Sequence, residues 1–270
     1  MPSLLTLQAY AFDRPIQYKK LLVYPVIMEN YYEFQILVQS LLIEKNRTLE
    51  GISKTYLDYL YTLELQKDKN QYLLKFDALL KMCLKKDDLI ILNKYEYIDK
   101  DGKQKNPVFI LYENETDANA NINGDRYDST DFDKLRLMIC GQNNVELPDE
   151  KISFEVRQSI EDAKRLRMRL NGTIPPTLED EVACVMASTS LSVDDIAKLS
   201  IRKFEQLIER IDKKLHYQIY MTGAMSGMVE FKDKSVLKHW MSGNEDNTFK
   251  ETIDLNDLER KMSLDDLKGK

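Results

Sequence analysis

Apolar residues recur three and four positions apart through most of the chain, the repeat of an α-helix with one buried face. Tyr32, Ile36, Leu37 and the Ser40/Leu41 pair predict a helix over about 28–45. Asn46-Arg47-Thr48 through Gly51 interrupts it. Ser53 is then expected to cap a second helix, on which Tyr56, Leu57, Leu60, Leu63 and Glu64 fall at helical spacing. A third helix is expected over about 69–85, with Tyr72, Leu73, Phe76, Leu79, Leu80 and Cys83 on its inner stripe. Ahead of these helices, residues 1–27 read as β-like or extended, and the run from Lys19 to Ile27 predicts a short strand.

At Asp87 the repeat shortens from about 3.6 to about 2. Leu89-Ile90-Ile91-Leu92 and Val108-Phe109-Ile110-Leu111-Tyr112 flank Asp101-Gly102, the pattern of a β-hairpin. Residues 113–128 read as a polar loop. Ser129 is expected to cap a helix over about 131–142 carrying Phe132, Leu135, Leu137, Met138 and Ile139. Another should follow Pro148 and run to Asn171-Gly172, with Ile152, Val156, Ile160, Ala163, Leu166 and Leu170 inward. Ile174-Pro175-Pro176 forms a stiff linker, since proline restricts both itself and the residue before it. Helices are then expected over about 178–188, 192–199 and 201–222. The last has the clearest stripe, through Ile201, Phe204, Leu207/Ile208, Ile211, Leu215 and Ile219. Met228 to Trp240 reads as a short strand followed by a helix.

The expected fold is therefore mainly α with a β-hairpin insertion, an α+β protein with a multi-helix body, a short N-terminal strand and a flexible acidic C-terminal tail. The expected divisions are 1–86, a strand and helical subdomain, and 87–128, the hairpin and polar loop. Then come 129–243, a second helical subdomain, and 244–270, a disordered tail. That tail keeps a weak stripe (Ile253, Leu255, Leu258, Met262, Leu264, Leu267) able to fold against a partner.

Composition supports the helical reading. The 270 residues include 9 glycines and 7 prolines, about half the usual share, whereas sandwiches and barrels need frequent turns. Charged residues make up 31%, which argues against an integral membrane protein, and no run approaches the ~18 apolar residues of a membrane span. The net charge of −6 argues against broad nucleic-acid binding. Cys83, Cys140 and Cys184 show no paired or zinc-ligand spacing and each lies in an apolar run, so buried, reduced thiols in a reducing cytoplasm are expected. The N-terminus, Met1-Pro2-Ser3-Leu4-Leu5, has no signal-peptide pattern.

Candidate chemistry is sparse. A histidine-based nucleophilic system would need His216 or His239, and neither lies in a motif. Neither GxGxxG nor GxxxxGK[ST] occurs, so no phosphate cradle is expected, and no cofactor or metal is assigned. Asn119 to Thr130 imitates a calcium loop but carries Asn at its first position and Thr at its twelfth, where Asp and Glu are needed. Lys164, Arg165, Arg167 and Arg169 form the most basic patch, which offsets a helix C-terminal dipole or binds an anion or nucleic acid. Thr189 to Phe204 has the length of a helix-turn-helix but lacks a turn glycine and a basic second helix, so an αα-hairpin is favoured. Gly223 to Gly227 has small-xxx-small spacing in polar surroundings, which reads as a helix end.

Tyr24-Pro25-Val26, followed by Met28-Glu29-Asn30-Tyr31-Tyr32-Glu33-Phe34, resembles the strand–Pro–variable–Glu-Tyr-x-x-Phe–helix opening of small tailed-phage tail-assembly proteins. These include tape-measure chaperones and baseplate-hub assembly proteins. The 178–240 segment, with Gly227-Met228-Val229-Glu230-Phe231 and His239-Trp240, is similar to the same late-gene products. The resemblance implies a non-enzymatic protein of the infected bacterial cytoplasm that holds a structural partner, a tape-measure or baseplate-hub protein. Tyr31, Tyr32, Phe34, Leu255, Leu258 and Met262 are the expected partner-binding residues. Self-association, a permanent place in the virion, and a DNA-binding regulator using 190–210 remain as alternatives.

Overall fold

Thirteen residues of α5 (Tyr72–Leu84) carry the centre of the core, because Phe76, Leu79, Leu80 and Cys83 share one face at helical spacing and all are fully buried. The computed structural model describes residues 4–45, 48–65, 71–87, 89–94, 107–112, 124–148, 156, 158–160, 162, 163, 165, 166, 175–227 and 239–242. They belong to two compact units, residues 1–208 and 209–270. The protein is mainly α with a β-hairpin and two small antiparallel sheets.

The first unit opens differently from expectation. Leu4–Ala11 is helix α1, not extended chain, and it closes with Phe12 N–H on the Gln8 carbonyl and Arg14 N–H on that of Ala9. Leu, Gln and Ala are strong helix formers, and the left-handed Asp13 (φ 52°) ends the run. β1 (Ile16–Tyr18) and β2 (Leu21–Val23) then pair around Lys19-Lys20. The next helix, α2, is only Tyr31–Leu37, flanked by 3-10 turns at Met28–Asn30 and Val38–Ser40. Its buried face is Phe34, Leu37, Val38 and Leu41. Tyr32 and Ile36, which share the predicted face with Leu37, are exposed.

Thr48 caps the short α3 (Leu49–Ser53), and α4 (Tyr56–Leu65) starts with Thr55 Oγ1 accepting from the Asp58 N–H at 3.1 Å. The expected cap, Ser53, is therefore the last residue of the preceding helix. α4 buries Leu57, Tyr59, Leu60 and Tyr61.

The hairpin forms as predicted in pairing. β3 (Ile90–Lys94) runs antiparallel to β4 (Val108–Tyr112), with Leu92 opposite Ile110. Its turn and Asp101-Gly102 lie outside the described residues. The expected polar loop contributes a third strand, β5 (Asp125–Asp128), on the other edge of β4. Only Tyr127 of β5 is buried, so a single inward residue left no visible alternation in the sequence.

Sheet and helices join through aromatic rings. Phe109 stacks on Tyr127 at 5.3 Å and meets Phe76 edge-on at 5.4 Å, and Phe76 reaches Phe132 at 5.2 Å. Polar bonds fix the same junction: Tyr61 Oη donates to the Val108 carbonyl at 2.7 Å, and Asn93 Nδ2 donates to Asp77 at 3.0 Å.

Helix α6 (Ser129–Gln142) is capped by Asp128 rather than Ser129, in a capping box closed by Asp131. Phe132, Leu135, Ile139 and Cys140 point inward, while Leu137 is exposed. At its C-terminal end, side chains replace sheet partners: Gln142 donates to the Val23 carbonyl at 3.0 Å and Asn143 accepts from the Val26 N–H at 2.9 Å. Of the helix expected over 149–171, the described residues are helical, but Val156, Ile160, Ala163 and Leu166 are exposed rather than inward.

Helices α7 (Leu178–Ser188) and α8 (Val193–Lys198) each begin with a capping box, Thr177 with Asp180 and Ser192 with Asp195. α9 (Ile201–Met225) follows after Ser200, which bridges to Ile27. Ile201 N–H donates to the Val26 carbonyl at 3.0 Å, and Met28 N–H to that of Leu199 at 2.8 Å. Ile201 and Phe204 are buried.

Candidate protein-interaction surfaces

Unpartnered surface is best defined on the second half of α9, within the second unit. Counting 100° per residue, Ile211, Leu215 and Ile219 align on one face. Leu215 is 50% exposed and Ile219 63%. Gln218 and Lys214 flank this stripe on one side, Asp212 and His216 on the other. Asp212 and His216 lie one turn apart at 3.2 Å, and His216 stacks on Tyr220 at 5.9 Å.

The opposite face of α9 is occupied. Arg210 donates from Nη1 to the carbonyls of Trp240 and Ser242, at 3.0 and 3.1 Å. Seven residues on, Tyr217 meets His239 edge-on at 5.2 Å. Residues 239–242 are tightened by Ser242 N–H on the His239 carbonyl at 2.8 Å and Met241 N–H on His239 Nδ1 at 3.2 Å. Among the described residues, α9 therefore carries one clasped polar face and one bare apolar face. A bare stripe from Ile211 to Ile219 is about 12 Å long and one side chain wide, dimensions that suit an α-helix laid alongside.

The first unit has a smaller candidate on α2. Tyr32, 68% exposed, and Ile36 stand one turn apart on its outer face, and Tyr31 meets Tyr32 edge-on at 5.7 Å. Tyr31 is half-buried, and burial together with Glu205 and Glu181 raises its hydroxyl pKa. Phe34 is 0% exposed, which removes it from the partner-facing set, because its ring is core. Leu255, Leu258 and Met262 lie outside the described residues, as do Lys164, Arg167 and Arg169. Arg165 is exposed on a helical turn, 4.0 Å from Asp162.

Two residues that the helix-turn-helix alternative draws on are engaged at the start of α9. Arg202 donates to the Gly141 carbonyl at 2.7 Å and lies 5.0 Å from the Tyr10 ring centroid. Glu205 accepts from Asn144 at 2.7 Å, and burial raises its pKa against that bond. Gly223 to Gly227 ends α9, with Gly227 left-handed at φ 66°.

Two of the three cysteines are core residues. Cys83 and Cys140 are buried, and burial pushes each thiol up to about 12, where it is inert as a nucleophile. Cys184, expected inside, is exposed, because Val185 is the residue α7 buries. The calcium-like segment fails structurally beyond its first positions, which lie outside the described residues. Asp125 to Asp128 form β5, Lys20 holds Asp125 at 2.7 Å, and the segment ends as the first turn of α6. Among the described residues, no group of three His, Cys, Asp or Glu side chains is placed to hold a metal. Nor is any described helix long and apolar enough to cross a membrane.

Sequence reasoning missed a polar hub, Asp131. Tyr18 Oη donates to it at 2.5 Å, Lys19 Nζ at 2.7 Å and the Asp128 N–H at 3.0 Å. Burial opposes its ionisation, yet these three donors outweigh burial and hold the carboxyl below its usual range. Burial and the Asp131 bond raise Tyr18, and burial pushes Tyr127 up to about 12. The signal available in sequence was the Asp128/Asp131 spacing of a capping box.

Residues 169–245 match the family model described as the YomV second domain, a phage-derived family from a Bacillus prophage. The match takes in α7, α8, α9 and the 239–242 clasp. No curated protein and no solved structure matches the chain.

Proposed function

We propose that this chain is a non-enzymatic phage assembly protein that binds a helical structural partner through the bare stripe of α9. The observation that carries the reading is the stripe itself, half-buried Ile211 with exposed Leu215 and Ile219, beside a face that the chain's own residues 239–242 occupy. Its location inside the segment that matches a prophage-derived family ties it to phage biology. The partner of this reading is an amphipathic helix whose flanks offer an acid to Lys214 and a base to Asp212. The resemblance points to a tape-measure or baseplate-hub protein as that partner, and the protein would hold it in the host cytoplasm until assembly. Tyr32 and Ile36 on α2 offer a second, smaller contact.

Co-expression of the full chain with the tape-measure and hub proteins of its own phage tests this. A complex and raised partner solubility are expected, both lost on Leu215→Lys with Ile219→Lys. Absence of any complex with either protein overturns the reading. Mass spectrometry of purified particles separates an assembly factor, absent from them, from a permanent virion component.

A further inference from the structure

Arg136 is 6% exposed on the inner face of α6. Its Nε donates to the Leu41 carbonyl at 2.5 Å, and its guanidinium carbon lies 3.7 Å from the centroid of the Tyr56 ring. One terminal nitrogen, Nη2, is buried and has no hydrogen-bond partner. Lys45 lies over the same ring at 4.3 Å and uses one of its three donors on the Lys54 carbonyl, at 2.9 Å. Among the described residues, no carboxylate forms an ion pair with either cation.

Two positive charges therefore share one aromatic ring without a counter-ion among the described residues. Cation–π attraction supplies less than burying an ion costs. The remaining demand is for negative charge with acceptor oxygens beside the Tyr56 ring. Arginine and lysine together are the residues that recognise oxyanions, the first through its planar fork and the second as a point charge.

We propose that Arg136, Lys45 and Tyr56 form a subsite for a compact oxyanion. Arg136 donates from its free Nη2, Lys45 closes over the anion from the half-exposed side, and Tyr56 fixes both cations by stacking. The subsite lies in the first unit and is independent of the α9 stripe, so either reading can fail alone.

The test is thermal unfolding of the full chain in inorganic phosphate, with sodium chloride at matched ionic strength as control and sodium acetate as a second arm. A saturating rise in Tm is expected in phosphate beyond the chloride control. Lys45→Gln, a half-exposed change that leaves the core intact, should raise the half-saturating phosphate concentration about tenfold. Arg136→Lys should abolish the rise if it folds. Saturation in acetate rather than phosphate assigns a carboxylate as the occupant. No rise in either anion, or a Lys45→Gln response equal to that of the unsubstituted chain, overturns the subsite.

Discussion

Lys19 Nζ and the Asp131 carboxylate meet at 2.7 Å across 112 positions of sequence, and Lys19 is held there at φ 52°. The left-handed conformation costs a non-glycine residue roughly 1–2 kcal/mol, a cost the ion pair and the Tyr18 bond offset. Asp131 is also the N3 residue that closes the α6 capping box. One carboxylate thus fastens the β1–β2 turn to the start of α6.

Asp131→Asn should therefore cost about 1–3 kcal/mol in urea unfolding at pH 7. The folded carboxyl is held below its ordinary range, so its stabilisation is present above the unfolded pKa of about 3.9 and is lost as pH falls through the folded value. The gap between the unsubstituted chain and Asp131→Asn should accordingly be widest near neutrality and close below about pH 4. A constant gap across pH would contradict the ion-pair role.

Asp77 has the opposite sign. Burial pushes its carboxyl up to about 6, against the Asn93 hydrogen bond and the Lys81 charge, with Glu64 adding to the rise. The folded state keeps a proton that the unfolded state has lost, so stability falls as pH rises from about 4 through about 6. Asp77→Asn keeps an oxygen to accept from Asn93 and should remove that slope. Chemical unfolding at pH 7.5 should show a gain on the order of 1 kcal/mol, reduced by the solvent the carboxyl retains, and none at pH 4.

Gly124 is required by close approach rather than by backbone angle. A Cβ there would lie 2.4 Å from Ile110 Cγ2 and 2.6 Å from Tyr112 Cε1, on the strand that β5 pairs with. Gly124→Ala should lower stability by about 1–3 kcal/mol, read as a drop in the urea midpoint with unchanged slope.

Leu215→Lys with Ile219→Lys should leave stability within about 0.5 kcal/mol, since both side chains face solvent on α9. Circular dichroism melts should overlay those of the unsubstituted chain while partner binding disappears. A large loss of stability would mean that the stripe is structural.

The long helices were legible in sequence because a periodic stripe is a local property. α5, α7 and α9 appear within a few residues of expectation, and β3 and β4 pair as the switch to alternation predicts. α1 was missed because eight residues give too short a repeat, and β5 because only Tyr127 of its four residues is buried. Part of the candidate surface was legible too: Ile211, Leu215 and Ile219 stand out in the chain, but whether such a stripe is core or surface is not written in its spacing.

By itself, then, the sequence determined the longer helices and the β3–β4 pair, since propensity and periodicity act over a few neighbouring residues. Tertiary structure alone decided which apolar faces are covered. Phe34 is sealed in the core while Tyr32, two positions earlier on the same helix, is open. It also decided that Lys19, Tyr18 and Asp131 converge, and that Arg136 and Lys45 share Tyr56 without a counter-ion among the described residues. Burial and ion pairing depend on residues far apart in the chain, and only the packed fold brings them within reach of one another.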